Sequence, residues 1–429
     1  MIDGVNRFSV KTKSLLAVSV LIGLFSQKVT GANYWYRQGS EGDCSWDGAV
    51  WYWSKGSTDY LSEKSYHDFG QDALWVNTST EEYPLRVTNG ISAVAQTLVI
   101  GDAAGYSPVL KVEGGGSVTV KDLRIGRKSN GRLLLEGGTA VVTNTCNLGE
   151  QDCSGEIVIS NGIIVLTKEQ GNTGANLYMG SASGGFGTIR GWGVMKNDKN
   201  AAARIMLAEG KIIGDGFGEQ KELDLHTIAS IRSVLDVNTG EASTVPSDTE
   251  NGWYAVNKGA VLFPRTWFAK GTTGSGSLGA FSGDADNAFV NSVKIETISM
   301  PSITGGLRFQ GGIFAEDRDD VHVESLPANR NVVGIWKLGL FGNQDDNPNS
   351  VRFTSCSLTF RYDQTKVRKG DNIELLRWEN SGWVSVAKSI VTDDFKISAE
   401  NLSYLVEERY NAGTFALIRK SKGLTVAIR

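Results

Sequence analysis

Carboxylates come first among the residues that could do chemistry. Glu316-Asp317, Asp319-Asp320, Asp345-Asp346 and Asp393-Asp394 are adjacent acid pairs. Hydrolysis of a glycosidic bond uses two carboxyl groups, one giving a proton and the other attacking or activating water. All four pairs fall in turn-like segments, which suits solvated turns better than a catalytic dyad. His67, His226 and His322 are the only histidines. They stand far apart, without metal-ligand spacing. No Gly-x-Ser-x-Gly elbow occurs in a strand–turn–helix setting; Gly274-Ser275-Gly276-Ser277 belongs to a low-complexity loop. Gly214-Asp215-Gly216-Phe217-Gly218 lacks the Lys-Ser/Thr ending of a phosphate loop. Asp284-Ala285-Asp286-Asn287 gathers hard oxygens suited to calcium, but without the closing Glu of a full loop. No catalytic residue, metal ligand or cofactor is therefore assigned.

Aromatic side chains are the other candidates. Residues 33–90 hold Tyr34, Trp35, Tyr36, Trp46, Trp51, Tyr52, Trp53, Tyr60, Tyr66, Trp75 and Tyr83, interrupted by Gly39, Gly42, Gly48 and Gly56. Aromatic rings stack on sugar faces, so Trp46, Trp51, Trp53 and Trp75 are the candidate carbohydrate-binding residues. The competing reading is a cap over the open end of a repeat structure, whose backbone edges must be covered. The two coexist where a capping Trp leaves one ring face open.

The elements that must position these groups are written between Ala95 and Val194. Leu98-Val99-Ile100-Gly101, Leu123-Arg124-Ile125-Gly126, Cys146-Asn147-Leu148-Gly149 and Leu177-Tyr178-Met179-Gly180 each open a unit, with starts 23 to 31 residues apart. Such periods mark repeat architectures. A second apolar pair follows in each unit: Leu110/Val112, Leu133/Leu135, Ile157/Ile159, and weakly Ile189/Gly191. A third follows Gly115-Gly116, Gly137-Gly138 and Asn161-Gly162, as Val118/Val120, Ala140/Val142 and Ile164/Leu166. Alternate side chains of a strand share a face, so these pairs point inward and Lys111, Thr119, Arg132 and Arg190 point out. Glycine makes the corners. The pattern predicts an all-β chain with a right-handed parallel β-helix of four to five rungs. An antiparallel sandwich of hairpins is the alternative, since its turns also use Gly-Gly.

These motifs resemble the rung repeats of secreted bacterial β-helix proteins, including the passenger regions of autotransporter adhesins. The likeness covers a quarter to a third of the chain. It implies architecture rather than activity, because such families hold both surface adhesins and polysaccharide-degrading enzymes. The outward rung residues Val99, Arg124, Asn147, Tyr178, Lys111, Leu134, Val158 and Arg190 contain no acid pair. The end of the chain lacks the recurring ten-residue amphipathic strands of a membrane barrel, so the autotransporter export mechanism is not carried over.

The N-terminus reads as a secretory signal: Arg7, Lys11 and Lys13, then an apolar run from Leu15 to Phe25, then Thr30-Gly31-Ala32 for cleavage after Ala32. An uncleaved anchor is the alternative. Losing residues 1–32 removes four basic residues and one acid, taking the formal net charge from −4 to −7. Nucleic acid, which needs a basic face, is disfavoured. No later stretch is long and apolar enough for a membrane span, so the mature chain is expected outside the cytoplasm, secreted or surface-attached. Cys146 takes the inward position held elsewhere by Leu98, Leu123 and Leu177, favouring a buried small hydrophobe over a bridge to Cys153.

The expected organisation is a signal peptide over 1–32, an aromatic cap over 33–90, β-helix repeats over 91–235, and one or two β-sandwich-like domains over 236–429, with any split near 345. Strands are predicted at Trp253–Val256, Ala260–Pro264, Val293–Ile298, Val321–Val323, Val332–Leu338, Ile373–Trp378 and Thr414–Arg419, with a short helix near Ile228 and a helical turn over Glu400–Glu408. The functional expectation is a non-enzymatic structural or adhesin-like surface protein whose partners are polysaccharide or cell-surface components. A carbohydrate-active enzyme or carbohydrate-binding protein is the alternative.

Overall fold

The computed structural model describes residues 33–36, 45–46, 51–54, 60–64, 69–167, 175–181, 183–197, 203–216, 221–228, 230–233, 254–264, 266–268, 276–278, 291–299, 307–328, 330–342, 353–405 and 410–420. The signal segment, Cys44, His67, the calcium-type loop Asp284–Asn287 and the pair Asp345-Asp346 lie outside these residues. The fold is all-β, built on a large and mostly parallel sheet.

Three parallel ladders carry the repeat, and the chain visits them in a fixed order. In the first, Leu74, Leu98, Leu123, Cys146, Leu177 and Ile205 lie in register on successive strands. In the second, the column is Leu85, Leu110, Leu133, Ile157, Ile189, Ile212 and Tyr254. In the third, Ala93, Val118, Ala140, Ile164 and Met195 stack. None of these side chains is more than 2% exposed, and all belong to one contiguous apolar cluster. Complete burial of each aliphatic side chain is worth about 1.5–3 kcal/mol, so the columns supply the main cohesion between strands. Alternation follows the strand period: in Val109–Glu113, Leu110 and Val112 are buried while Lys111 is half-buried.

The ladders extend beyond residues 91–235 in both directions. Asn33–Tyr36 already pairs in parallel with Phe69–Val76 inside the aromatic segment, and takes Trp51–Ser54 antiparallel on its other edge. Tyr254–Lys258 and Ala260–Leu262 still pair in parallel, with Gly210–Asp215 and Glu222–Asp224. Ala260–Leu262 is the joint. Its far edge pairs antiparallel with Leu307–Phe314, and the sheet then continues through Arg330–Gly342, Gly413–Lys420, Asn372–Glu379 and Gly382–Ile390.

A second, four-stranded sheet joins Gly276–Leu278, Val293–Ser299, Ser355–Arg361 and Lys396–Leu402. Phe360 on this sheet packs against Trp336 and Phe415 on the first, with ring centroids 5.1 and 5.0 Å away. Three local expectations are corrected. Val321–Val323 is not a strand: Asp319–Val321 and Val323–Ser325 form two 3-10 turns, with His322 left-handed between them. Asp224 bonds the backbone N–H of His226, two residues on, and holds a tight turn there instead of a helix. Lys396–Leu402 is a strand where a helical turn over Glu400–Glu408 was predicted, because Leu402 and Ala399 register with Cys356 and Leu358; residues 406–409 lie outside the described set.

Candidate functional site

The junction between the parallel ladders and the antiparallel sheets encloses a pocket of about 310 Å³. Four pieces of chain position its wall. The last strands of the second ladder bring Lys211, Tyr254, Ala255, Val256 and Asn257. The end of Leu307–Phe314 and the residues after it bring Ile313, Phe314, Ala315 and Glu316. Arg330–Gly342 brings Val332, Gly334 and Ile335. Asn291 and the 3-10 turn at Asp363–Lys366 close it. Tyr254, Ile313, Phe314 and Ile335 are buried, Ala255, Val256 and Val332 are half-buried, and Asn257, Glu316, Thr365 and Lys366 are exposed at the mouth.

Asn291 is the most constrained polar group in this wall. It is 5% exposed and left-handed, at φ +68°. Its Nδ2 donates to the Tyr254 carbonyl at 2.9 Å, and its own carbonyl accepts from Trp336 Nε1 at 2.8 Å. Its Oδ1 is buried and takes no hydrogen bond among the described residues. Burial pushes the Tyr254 hydroxyl well above the usual tyrosine range. Asp363 is partly committed, because its Oδ1 accepts from the Thr365 backbone N–H and hydroxyl at 2.8 and 2.7 Å. Two lysines face two carboxylates, so the lining has no net formal charge.

Behind Phe314 lies a compensated ionic cluster. Arg318, whose side chain is 4% exposed, grips Asp320 with Nε–Oδ1 and Nη2–Oδ2 distances of 2.8 and 2.9 Å, and reaches Glu222 at 3.2 Å. Lys337 donates to Asp320 Oδ2 at 2.7 Å. The Phe314 ring faces both cations, at 5.0 Å from Arg318 and 5.2 Å from Lys337. Burial pushes the Asp320 carboxyl up, but hydrogen bonds from Arg318 and Lys337 outweigh it and hold the group far below the usual carboxylate range. Burial also pulls Lys337 down, against the pull of Asp320. Two acids balance two bases here, so the cluster ties Glu222 of the parallel region to the antiparallel sheet and leaves no group primed for proton transfer.

The four tryptophans named from the sequence are not all in one place. Trp46 is fully buried, and its backbone N–H donates to Arg86 O beside the second ladder. Trp75 is half-buried in the first ladder, in register with Trp35 and Val99. Trp51 and Trp53 pair with Tyr36 and Tyr34 on the neighbouring strand; their side chains lie outside the described set. Trp51 and Trp53 are thus separated from Trp75 by the strand Asn33–Tyr36 at the start of the first ladder, and Trp46 pairs elsewhere, with Arg86.

The remaining candidates separate as well. Asp393 pairs with exposed Lys369 at 2.6 Å, and Asp394 accepts from Thr392. His322 stacks on Trp378 at 4.2 Å, and His226 lies beside Asp224. Among the described residues no three His, Cys, Asp or Glu side chains converge for a metal, and no helix is long and apolar enough to cross a membrane. Cys146, Cys153 and Cys356 are free; burial pushes the Cys146 thiol up to about 12. Sequence reading missed the pocket because its wall draws on segments more than 150 residues apart, with no shared motif. No family model, curated protein or solved structure matches this chain.

Proposed function

We propose that this chain is an exported, non-enzymatic scaffold acting in surface structure or adhesion. In this reading the three ladders are the faces of a right-handed parallel β-helix, the aromatic segment is its cap, and the paired antiparallel sheets are a β-sandwich at its far end. One apolar cluster shared by three ladders, visited in constant order, supports the coil.

The observation that carries the scaffold reading is the outward face of the second ladder. Its charges are matched strand to strand: Arg86 with Glu113 at 2.7 Å, Lys111 with Glu136 at 2.8 Å, Arg132 with Glu156 at 2.7 Å, and Arg190 with Asp215. Each such pair is worth roughly 0–1 kcal/mol, but together they neutralise a face that a polysaccharide-cleaving groove would keep polarised. The alternative, a carbohydrate-active enzyme or binder, gains one observation: Glu316 and Asp363 share the junction pocket. Incubation of the purified chain with a panel of acidic and neutral polysaccharides separates the two. No new reducing ends and no unsaturated products are expected; release of either overturns the scaffold reading. Export is checked by expressing an epitope-tagged chain in a bacterial host, where the mature N-terminus is expected after Ala32, outside the cytoplasm.

A further inference from the structure

We propose that the junction pocket binds the end of a neutral saccharide. The inference deepens the surface-contact reading by naming a ligand class and a site for it. At about 310 Å³ the pocket lies at the small end of ligand sites, which span roughly 300–1,000 Å³, and it has room for a mono- or disaccharide.

The lining favours a neutral polyol over charged ligands. A phosphate or uronate facing Lys211 and Lys366 would also face Glu316 and Asp363. An amine would meet the reverse conflict. A sugar presents what this wall complements: hydroxyl groups that both donate and accept, around a ring with apolar C–H faces. Ala255, Val256 and Val332 supply half-buried apolar surface, and Lys211, Asn257 and Glu316 make no ion pair or side-chain hydrogen bond among the described residues. The unpaired polar groups of the lining decide between a sugar and a greasy ligand, because an apolar ligand would cover them without replacing their hydrogen bonds to water.

The test is calorimetric titration of the full chain with glucose, galactose, mannose, N-acetylglucosamine and glucuronate, with glycine betaine as a zwitterionic probe. Binding of at least one neutral sugar is expected, with glucuronate and betaine weaker. Ala255→Phe, which fills the pocket from its outer wall, should weaken that binding by about tenfold or more. Glu316→Gln at the mouth and Lys211→Met on the half-buried wall should leave the fold intact, as thermal unfolding would show, and should each weaken it by about three- to tenfold. These two keep the test decisive should Ala255→Phe fail to fold. Absence of sugar binding, preference for glucuronate or betaine, or sugar binding unchanged in the Glu316 and Lys211 variants overturns the proposal. So does loss of binding in Trp75→Ala with none in the pocket variants, which would move the site to the N-terminal aromatics. None of these results bears on polysaccharide cleavage, so the scaffold reading stands or falls separately.

Discussion

Asp320 accepts three charge-assisted hydrogen bonds, two from Arg318 and one from Lys337, and that arrangement fixes how the junction responds to acid. Its carboxyl is held below its ordinary value in the folded chain. A carboxyl depressed on folding contributes stability above its unfolded pKa, near 4, and that contribution is lost as pH falls towards the folded value. Asp320→Asn keeps the shape and removes the charge. It should cost about 1–2 kcal/mol at neutral pH, a moderate figure because the Asp320 side chain is 45% exposed. Urea unfolding of both chains at pH 7 and at pH 3 checks this: the difference should be full at pH 7 and smaller at pH 3. An equal difference at both values would show that Asp320 acts through shape alone.

Among the elements, the corner between the first and second ladders shows what sequence reading reached and what it did not. The aliphatic columns were legible because alternation and the closing glycine of each Leu-x-Ile-Gly-type motif both leave a local mark. Gly126, at φ +74°, is such a closing glycine. A second glycine column, Gly131, Gly155, Gly187 and Gly210, went unread. It reflects crowding between strands, which no local pattern encodes. A Cβ at Gly155 would lie 2.2 Å from the Ile125 carbonyl oxygen, although Gly155 itself needs no positive φ. The pocket and the Glu222–Arg318 contact were illegible for the same reason, since their members meet only through the long-range joint at Ala260–Leu262. Gly155→Ala should therefore destabilise by about 1–3 kcal/mol or more through overpacking. Gly90→Ala, at φ +82° in open space, should cost about 1–2 kcal/mol through backbone strain alone. Chemical denaturation of both variants ranks them. If Gly155→Ala is neutral, the corner is looser than its backbone contacts indicate.

At the scale of the molecule, a parallel stack has two open ends, and each exposes unpaired backbone that invites another chain. Here an antiparallel strand takes one such edge at each end. Trp51–Ser54 covers Asn33–Tyr36 at the start, and Tyr60–Lys64 in turn covers Trp51–Ser54. At the finish, Tyr254–Lys258 and Ala260–Leu262 cover Gly210–Asp215 and Glu222–Asp224, and Leu307–Phe314 then takes the free edge of Ala260–Leu262. The larger C-terminal sheet is thus continuous with the stack, not strung from it. A chain truncated after Val245 would keep the columns through Ile205 and Ile212 but lose the strands that cover Gly210–Asp215 and Glu222–Asp224. It would also bare the face of Ile212 that Tyr254 covers and leave Glu222 without Arg318. Such a chain should form higher-order species by light scattering at concentrations where the full chain does not. If it instead matches the full chain in dispersity and unfolds at the same temperature, the stack ends itself, and the joint at Ala260–Leu262 is a linkage rather than a cover.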